Sequence, residues 1–291
     1  MPTCQVGLLD AIRPRARIFM HVLYATNFCV FLKKSLVFIP AILYHLIGCK
    51  HAQTQTFMEV LNMENLRFKS AVFAGNILKT PQHILICGAT GAGKSTIEFE
   101  LINSMLFMPV VPALFLIDPK CIDLNKYRKM RNVLEYVNDV NDAARVLNRA
   151  CDVMEARYKR MQKNDIEVCT DRILYVVIDE LADLVLIDKS IFKPLQRLLA
   201  KGRAANVFLL LCTQCVNREV LPTLLKQNIN TTICGRCDNA VASRLILGIA
   251  GAEKLPRYGR AYIKDSNGIN ITDIPFIPRD ELQKVIDYWK K

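Results

Sequence analysis

From about residue 65 onward, short unbroken apolar runs take turns with segments whose apolar positions recur every three or four residues. The runs His83–Cys87, Ala113–Ile117, Ile173–Ile178 and Val207–Cys212 carry no polar alternation, which predicts strands buried on both faces. Thr231–Cys234 is a shorter fifth candidate. Helical periodicity fills the intervals at Ser95–Met108, Asn141–Lys163, Lys189–Arg203 and Val241–Leu247. Buried strands alternating with amphipathic helices predict an α/β fold, with a parallel sheet covered by helices on both faces. This domain is expected over residues 65–278, with a closing C-terminal helix over 279–291.

The N-terminal pattern is different. Residues 1–17 read as a basic tail containing Arg13, Arg15 and Arg17. Residues 18–50 form an apolar helical segment in two runs, Ile18–Leu32 and Ser35–Cys49, separated by Lys33 and Lys34. Each run is about 22 Å long as helix, short of the roughly 30 Å of a hydrocarbon core. Joined, they would reach about 48 Å with two lysines near the middle. His21, Asn27, Pro40 and His45 further interrupt the apolar character. Three readings stay open for this segment: a membrane anchor, an interfacial amphipathic pair, and a core or oligomer-contact hairpin.

Composition narrows the class. The chain is 52% hydrophobic and 23% charged, which excludes a mainly disordered or low-complexity protein. Its 39 Lys and Arg against 27 Asp and Glu leave a net charge of +12, pointing to a polyanionic partner. Half of that excess lies in residues 1–80, with nine basic and three acidic side chains. Eleven cysteines without a secreted-scaffold spacing read as reduced cytosolic thiols. The Cys212-x2-Cys215 and Cys234-x2-Cys237 pairs have zinc-ribbon spacing. A zinc site and small packing thiols are both open readings for them at this point.

The chemistry concentrates after the first strand. Gly88-Ala89-Thr90-Gly91-Ala92-Gly93-Lys94-Ser95, followed by Thr96, matches G-x-x-x-x-G-K-[ST] between a strand and a helix. Its glycines let backbone N–H groups converge on phosphate oxygens at a helix N-terminus, the arrangement that binds ATP. Lys94 is expected to bridge the terminal phosphates, and Ser95 to ligate Mg²⁺. A second apolar strand ends in Asp179-Glu180. Asp179 is expected to hold the Mg²⁺, and Glu180 to polarise the attacking water. A glutamate beside that aspartate points to hydrolysis, since a nucleotide switch needs only the aspartate. Gln214, ending the run Leu209–Cys212 with Thr213, can sense the γ-phosphate if its strand neighbours the phosphate-loop strand.

Six blocks resemble, in order, the motor domain of the FtsK/SpoIIIE family of DNA translocases. They are Ile117-Asp118-Pro119-Lys120, Met154-Glu155-Ala156-Arg157-Tyr158, Asp179-Glu180-Leu181-Ala182-Asp183-Leu184, Lys201-Gly202-Arg203-Ala204-Ala205, Thr213-Gln214 and Gly251-Ala252-Glu253-Lys254-Leu255. The resemblance covers roughly residues 66–275. It implies a RecA-like P-loop NTPase that forms a homo-oligomeric, hexameric ring around double-stranded DNA and uses ATP with Mg²⁺. It also implies a trans arginine that completes a neighbour's site, with Arg203 the candidate and Arg244 the runner-up. About 16 residues follow the motor and no long linker precedes it. The chain therefore resembles compact members of conjugative elements, plasmids or phages, with a relaxase or replication initiator as a further candidate partner. The implied location is the bacterial cytoplasm, with residues 18–50 a candidate anchor at the inner face of the membrane. A type VII-like protein-secretion ATPase and a DNA-binding coupling protein of little turnover are the alternatives.

Overall fold

The apolar runs join as neighbours in one sheet, with each run's alternate side chains divided between two cores. The computed structural model describes Phe73, residues 77–214, Asn217, residues 219–276 and residues 278–290. The expected tail 1–17 and apolar segment 18–50 lie outside the described residues. The strands are β1 (Ile84–Cys87), β2 (Ala113–Ile117), β3 (Val133–Val137), β4 (Leu174–Ile178), β5 (Val207–Thr213), β6 (Thr231–Cys234), β7 (Arg260–Asp265) and β8 (Gly268–Asp273). Their spatial order is β3-β2-β4-β5-β1-β6-β7-β8. β3 through β6 in that order pair in parallel, placing Ile86 of β1 between Cys212 of β5 and Ile233 of β6.

The helices are α1 (Lys94–Leu106), α2 (Val140–Lys163), α3 (Leu181–Ile187), α4 (Phe192–Lys201), α5 (Thr223–Lys226), α6 (Ala240–Leu247) and α7 (Arg279–Lys290). One sheet face, through Leu85, Phe115, Val176 and Leu209, packs on α2, α3, α4 and α6. The other, through Ile84, Ile86, Leu116 and Val177, packs on α1 and α7. Asp139 starts α2 by accepting a hydrogen bond from the Asn141 amide at 2.8 Å, and Asn239 starts α6 by accepting from Ala242 at 2.9 Å.

Three features depart from the expected pattern. The sheet is mixed, because β7 runs antiparallel to β6 and β8 antiparallel to β7. This hairpin is half exposed, so its strands alternate instead of reading as apolar runs, and Asn267-Gly268 at its turn is the local signal for it. β3 is an edge strand and is likewise only partly buried. The expected helix Lys189–Arg203 is divided: tight turns at Lys189–Ile191 and Gly202–Ala205 flank α4. At its C-terminal end Gly202 lies against the Val207 carbonyl, where a Cβ would come within 2.3 Å of the oxygen. Asn206 then takes the left-handed conformation, φ 54°, and ends the helical path.

The zinc-spaced cysteines are separated by this topology. β1 stands between β5 and β6, and Cys212 faces one core while Cys234 and Cys237 face the other. The Cys234 and Cys237 sulfurs lie 3.4 Å apart, both as free thiols. Cys212 instead donates to Glu98 Oε1. Cys215 lies outside the described residues.

Candidate functional site

Parallel strands bring their carboxyl ends to one sheet edge, where ligands of α/β folds bind. At that edge β1 runs into the Gly88–Ser95 loop, β2 into Asp118–Lys120, β4 into Asp179–Glu180 and β5 into Gln214. The loop turns through Gly91 at φ 73° and Gly93 at φ 83° before α1 begins at Lys94. Its Ala89 amide donates to the Arg236 carbonyl beyond β6 at 2.8 Å, and its Ala92 amide to Ala89 at 3.0 Å. Lys94 Nζ folds back over the loop, donating to the Gly88 carbonyl at 3.0 Å and the Ala89 carbonyl at 3.2 Å. Burial lowers its pKa, while Glu180 and Asp179 work in the opposite direction. Thr96 sits half-buried in the first turn of α1.

Gln214 spans two parts of the site. Its side-chain Oε1 accepts from Thr90 Oγ1 in the loop at 2.7 Å, and its backbone amide donates to Glu180 Oε1 at 3.0 Å. Glu180 is only 3% exposed. Its other oxygen lies 3.6 Å from Lys120 Nζ, which also reaches Asp183 at 3.3 Å. Burial works against the charge of Lys120, but Glu180 and Asp183 outweigh it and raise its pKa above the ordinary value.

Acidic groups crowd around Ser95, whose hydroxyl donates to Asp123 Oδ2 at 2.7 Å. Burial, then the carboxylates of Asp123, Asp118 and Glu180, pushes Asp179 up to about 7. Glu98, buried one turn along α1, is raised well above the carboxylate range by burial and by Asp179. This concentration of hard oxygens, which Lys120 offsets only in part, fits a small divalent cation such as Mg²⁺, which Ser95 and Asp179 could hold with Asp123 beside them. Asp118 has a structural task, since its Oδ2 accepts from the Leu124 and Asn125 amides and fixes the loop carrying Asp123.

Residues 63–172 match the model of the FtsK/SpoIIIE family. The chain is 33% identical over 263 residues to a DNA translocase FtsK of Caldanaerobacter subterraneus, covering 80% of this chain and 37% of that protein. A DNA translocase FtsK of Pseudomonas aeruginosa is 29% identical, over 74% of this chain and 31% of its own length. This is an FtsK/SpoIIIE-family domain. The chain thus spans about a third of the length of these curated relatives. In fold, the FtsK/SpoIIIE domain is similar to the pCW3 conjugation coupling protein TcpA solved with ATPγS (TM-score 0.61, 21% identity, 72% of this chain and 66% of that one). It is also similar to the cytoplasmic domain of the type VII secretion ATPase EccC of Thermomonospora curvata (TM-score 0.60, 22% identity, 72% of this chain and 28% of that one).

Within the FtsK/SpoIIIE domain, Lys94, Ser95, Asp179, Glu180 and Gln214 share one edge. Arg203 does not join them. It is exposed in the turn entering β5, at the opposite edge, beside a cavity of about 620 Å³ that Gln82, Lys226, Asn230 and Lys264 also line. Arg244 is exposed on α6. Lys120 and Asp123 are functional candidates that the motif reading passes over. Lys120 could have been found as the last residue of the Ile117–Lys120 block, whereas Asp123 has no motif of its own. Among the described residues no helix is long and apolar enough to cross a membrane.

Proposed function

We propose that this chain is an ATP-driven motor for double-stranded DNA, built on a RecA-like P-loop core that works as a ring of its own copies, six by family resemblance. The observation that carries this reading is Gln214, which touches the phosphate loop through Thr90 and the buried Glu180 through its backbone. A site wired in this way can make hydrolysis depend on an occupied loop. Mg²⁺, held by Ser95 and Asp179, supplies neutralisation of phosphate charge. Lys94 exchanges the Gly88 and Ala89 carbonyls for phosphate oxygens, and the Gly88–Ser95 amides bind the phosphates at the start of α1. Glu180 orients and takes a proton from the attacking water, while Lys120 and the Gln214 amide fix the direction of its carboxyl group. Arg203 lies away from its own chain's phosphate loop and acts on a neighbouring copy, where it offsets charge developing on the transferred phosphoryl group.

The net charge of +12 and the FtsK relatives favour duplex DNA as the partner. The reading places the chain in the bacterial cytoplasm, with residues 18–50 as its contact with the inner face of the membrane. It serves element DNA, handed over by a relaxase or replication initiator. ATP turnover by the full chain, measured with and without duplex DNA, tests the function. Stimulation by duplexes of unrelated sequence, abolished by Glu180→Gln, supports the motor. Turnover indifferent to DNA supports a secretion-type ATPase instead, and DNA binding without turnover supports a coupling protein.

A further inference from the structure

The Met154–Tyr158 block lies on α2 and takes no part in the phosphate site, yet its side chains converge on one short segment. Arg157 Nη1 donates to the carbonyls of Ala205 at 2.8 Å and Asn206 at 2.9 Å, and its Nη2 donates to the Arg172 carbonyl at 2.7 Å. Tyr158 donates its hydroxyl to the Lys201 carbonyl at 2.7 Å. Two residues before Arg157, Glu155 pairs with Arg197 of α4 at 3.0 Å. The carbonyls at both ends of the turn Lys201–Asn206 are therefore fixed by adjacent residues of one helix.

The turn is also fixed from below and behind. The left-handed Asn206 donates its side-chain amide to the carbonyls of Cys169 and Asp171, at 2.8 and 3.1 Å. Gly202 is pressed on the Val207 carbonyl, and a Cβ there would also lie 3.5 Å from the buried His83 ring. His83 is itself tied to β5 by accepting from the Leu209 amide at 3.0 Å. Within this frame the backbone has little freedom, while Arg203 remains exposed. Burial lowers the pKa of Arg157, while Cys169 and Asp171, whose carboxylate lies 3.8 Å from its Nε, work in the opposite direction.

We propose that Arg157 and Tyr158 are positioning residues that set the geometry at which Arg203 is presented to a neighbouring copy of this chain. This rests on the reading of Arg203 as a trans arginine. A group acting across a subunit boundary must be placed to within about half an ångström, because misplacement by 1 Å can cost about a hundredfold in rate. Carbonyl clamps supplied by a long, well-packed helix give that precision to a side chain on a turn.

The test compares Tyr158→Phe, Arg157→Gln and Arg203→Ala in the full chain, each alone and mixed with Glu180→Gln on duplex DNA. Each positioning variant keeps its own phosphate site, so ATPγS affinity should equal that of wild type. Turnover should fall about fivefold for Tyr158→Phe, which loses one hydrogen bond, and tenfold or more for Arg157→Gln. Mixing with Glu180→Gln, which donates a well-placed Arg203 but cannot hydrolyse, should restore activity in rings that pair the two. A purely structural defect in the variant's own chain would not be repaired by mixing. If both positioning variants turn over at the wild-type rate while Arg203→Ala is inactive and rescued, the clamp is wrong and the trans arginine stands. If Arg203→Ala itself turns over normally, the trans reading fails and the clamp falls with it. Should Arg157→Gln fail to fold, Tyr158→Phe decides, because it removes only a hydroxyl from a half-buried ring. Loss of its activity without rescue, in rings shown to be mixed, overturns the proposal.

Discussion

Replacing His83 by asparagine should flatten the acid side of the stability profile. His83 is 1% exposed, and its Nδ1 accepts from the Leu209 amide, which leaves the ring proton on Nε2. That nitrogen is buried with no hydrogen-bond partner among the described residues, so a second ring proton gains nothing and a charge costs desolvation. Burial, and then the Arg203 guanidinium, lowers the His83 pKa from 6.5 to about 4. Between those values the unfolded chain binds a proton that the folded chain refuses, so folding stability falls as pH drops from 6.5 toward 4. At 1.36 kcal/mol per unit, the full loss is about 3 kcal/mol, and roughly 2 kcal/mol of it appears between pH 7 and pH 5. Asparagine can still accept from Leu209 but does not titrate. Urea unfolding at pH 7 and pH 5 measures the difference. The wild type should lose about 2 kcal/mol more than His83→Asn over this interval, with the carboxylates shared by both proteins cancelling. Equal losses would mean that His83 accepts its proton in the folded state as readily as in the unfolded chain.

Gly202→Ala should destabilise the domain by about 2 kcal/mol or more, because its Cβ would meet the Val207 carbonyl at 2.3 Å; thermal unfolding reads this directly. Lys94→Ala should weaken ATPγS binding about ten- to a hundredfold by removing a charged hydrogen-bond donor, as measured by titration calorimetry. Lys120→Ala should leave ATPγS affinity unchanged but lower turnover about tenfold, because Glu180 loses the ammonium group that directs its carboxyl group. A fall in affinity with unchanged turnover would place Lys120 on the phosphates instead.

What could be read from the chain follows from how completely each element is buried. β2 matches its apolar run end to end, and β1, β4 and β5 match theirs to within a residue, because a strand covered on both faces leaves few polar positions to confuse the pattern; β6 also matches its expected bounds, although Thr231 and Thr232 make it the weaker signal. The hairpin β7–β8 escapes the same reading, since one side of it faces water and its apolar residues are too sparse to form a run. The division of the expected Lys189–Arg203 helix is hidden for another reason. Its C-terminal break involves the contact of Gly202 with Val207, across a turn whose shape only the folded sheet defines. Lys94, Ser95, Asp179, Glu180 and Gln214 are legible because each sits at the end of a strand or the start of a helix, where sequence position fixes spatial position. Asp123 is not, because a loop pinned by Asp118 carries it to Ser95. Arg203 can be named from its block, but its separation from its own phosphate loop becomes visible only once β5 is placed in the sheet.

In the motor we propose, ATP hydrolysis at this edge moves the chain along duplex DNA. The most direct measurement is displacement of a third strand from a triplex placed at the far end of a linear duplex, using the full chain. Wild type with ATP should release the third strand after a delay that lengthens with the duplex separating it from the loading site, and added salt should weaken the reaction as phosphate contacts are screened. Glu180→Gln should bind the same DNA and release nothing. Hydrolysis that proceeds on this DNA without releasing the third strand at any duplex length would contradict the account.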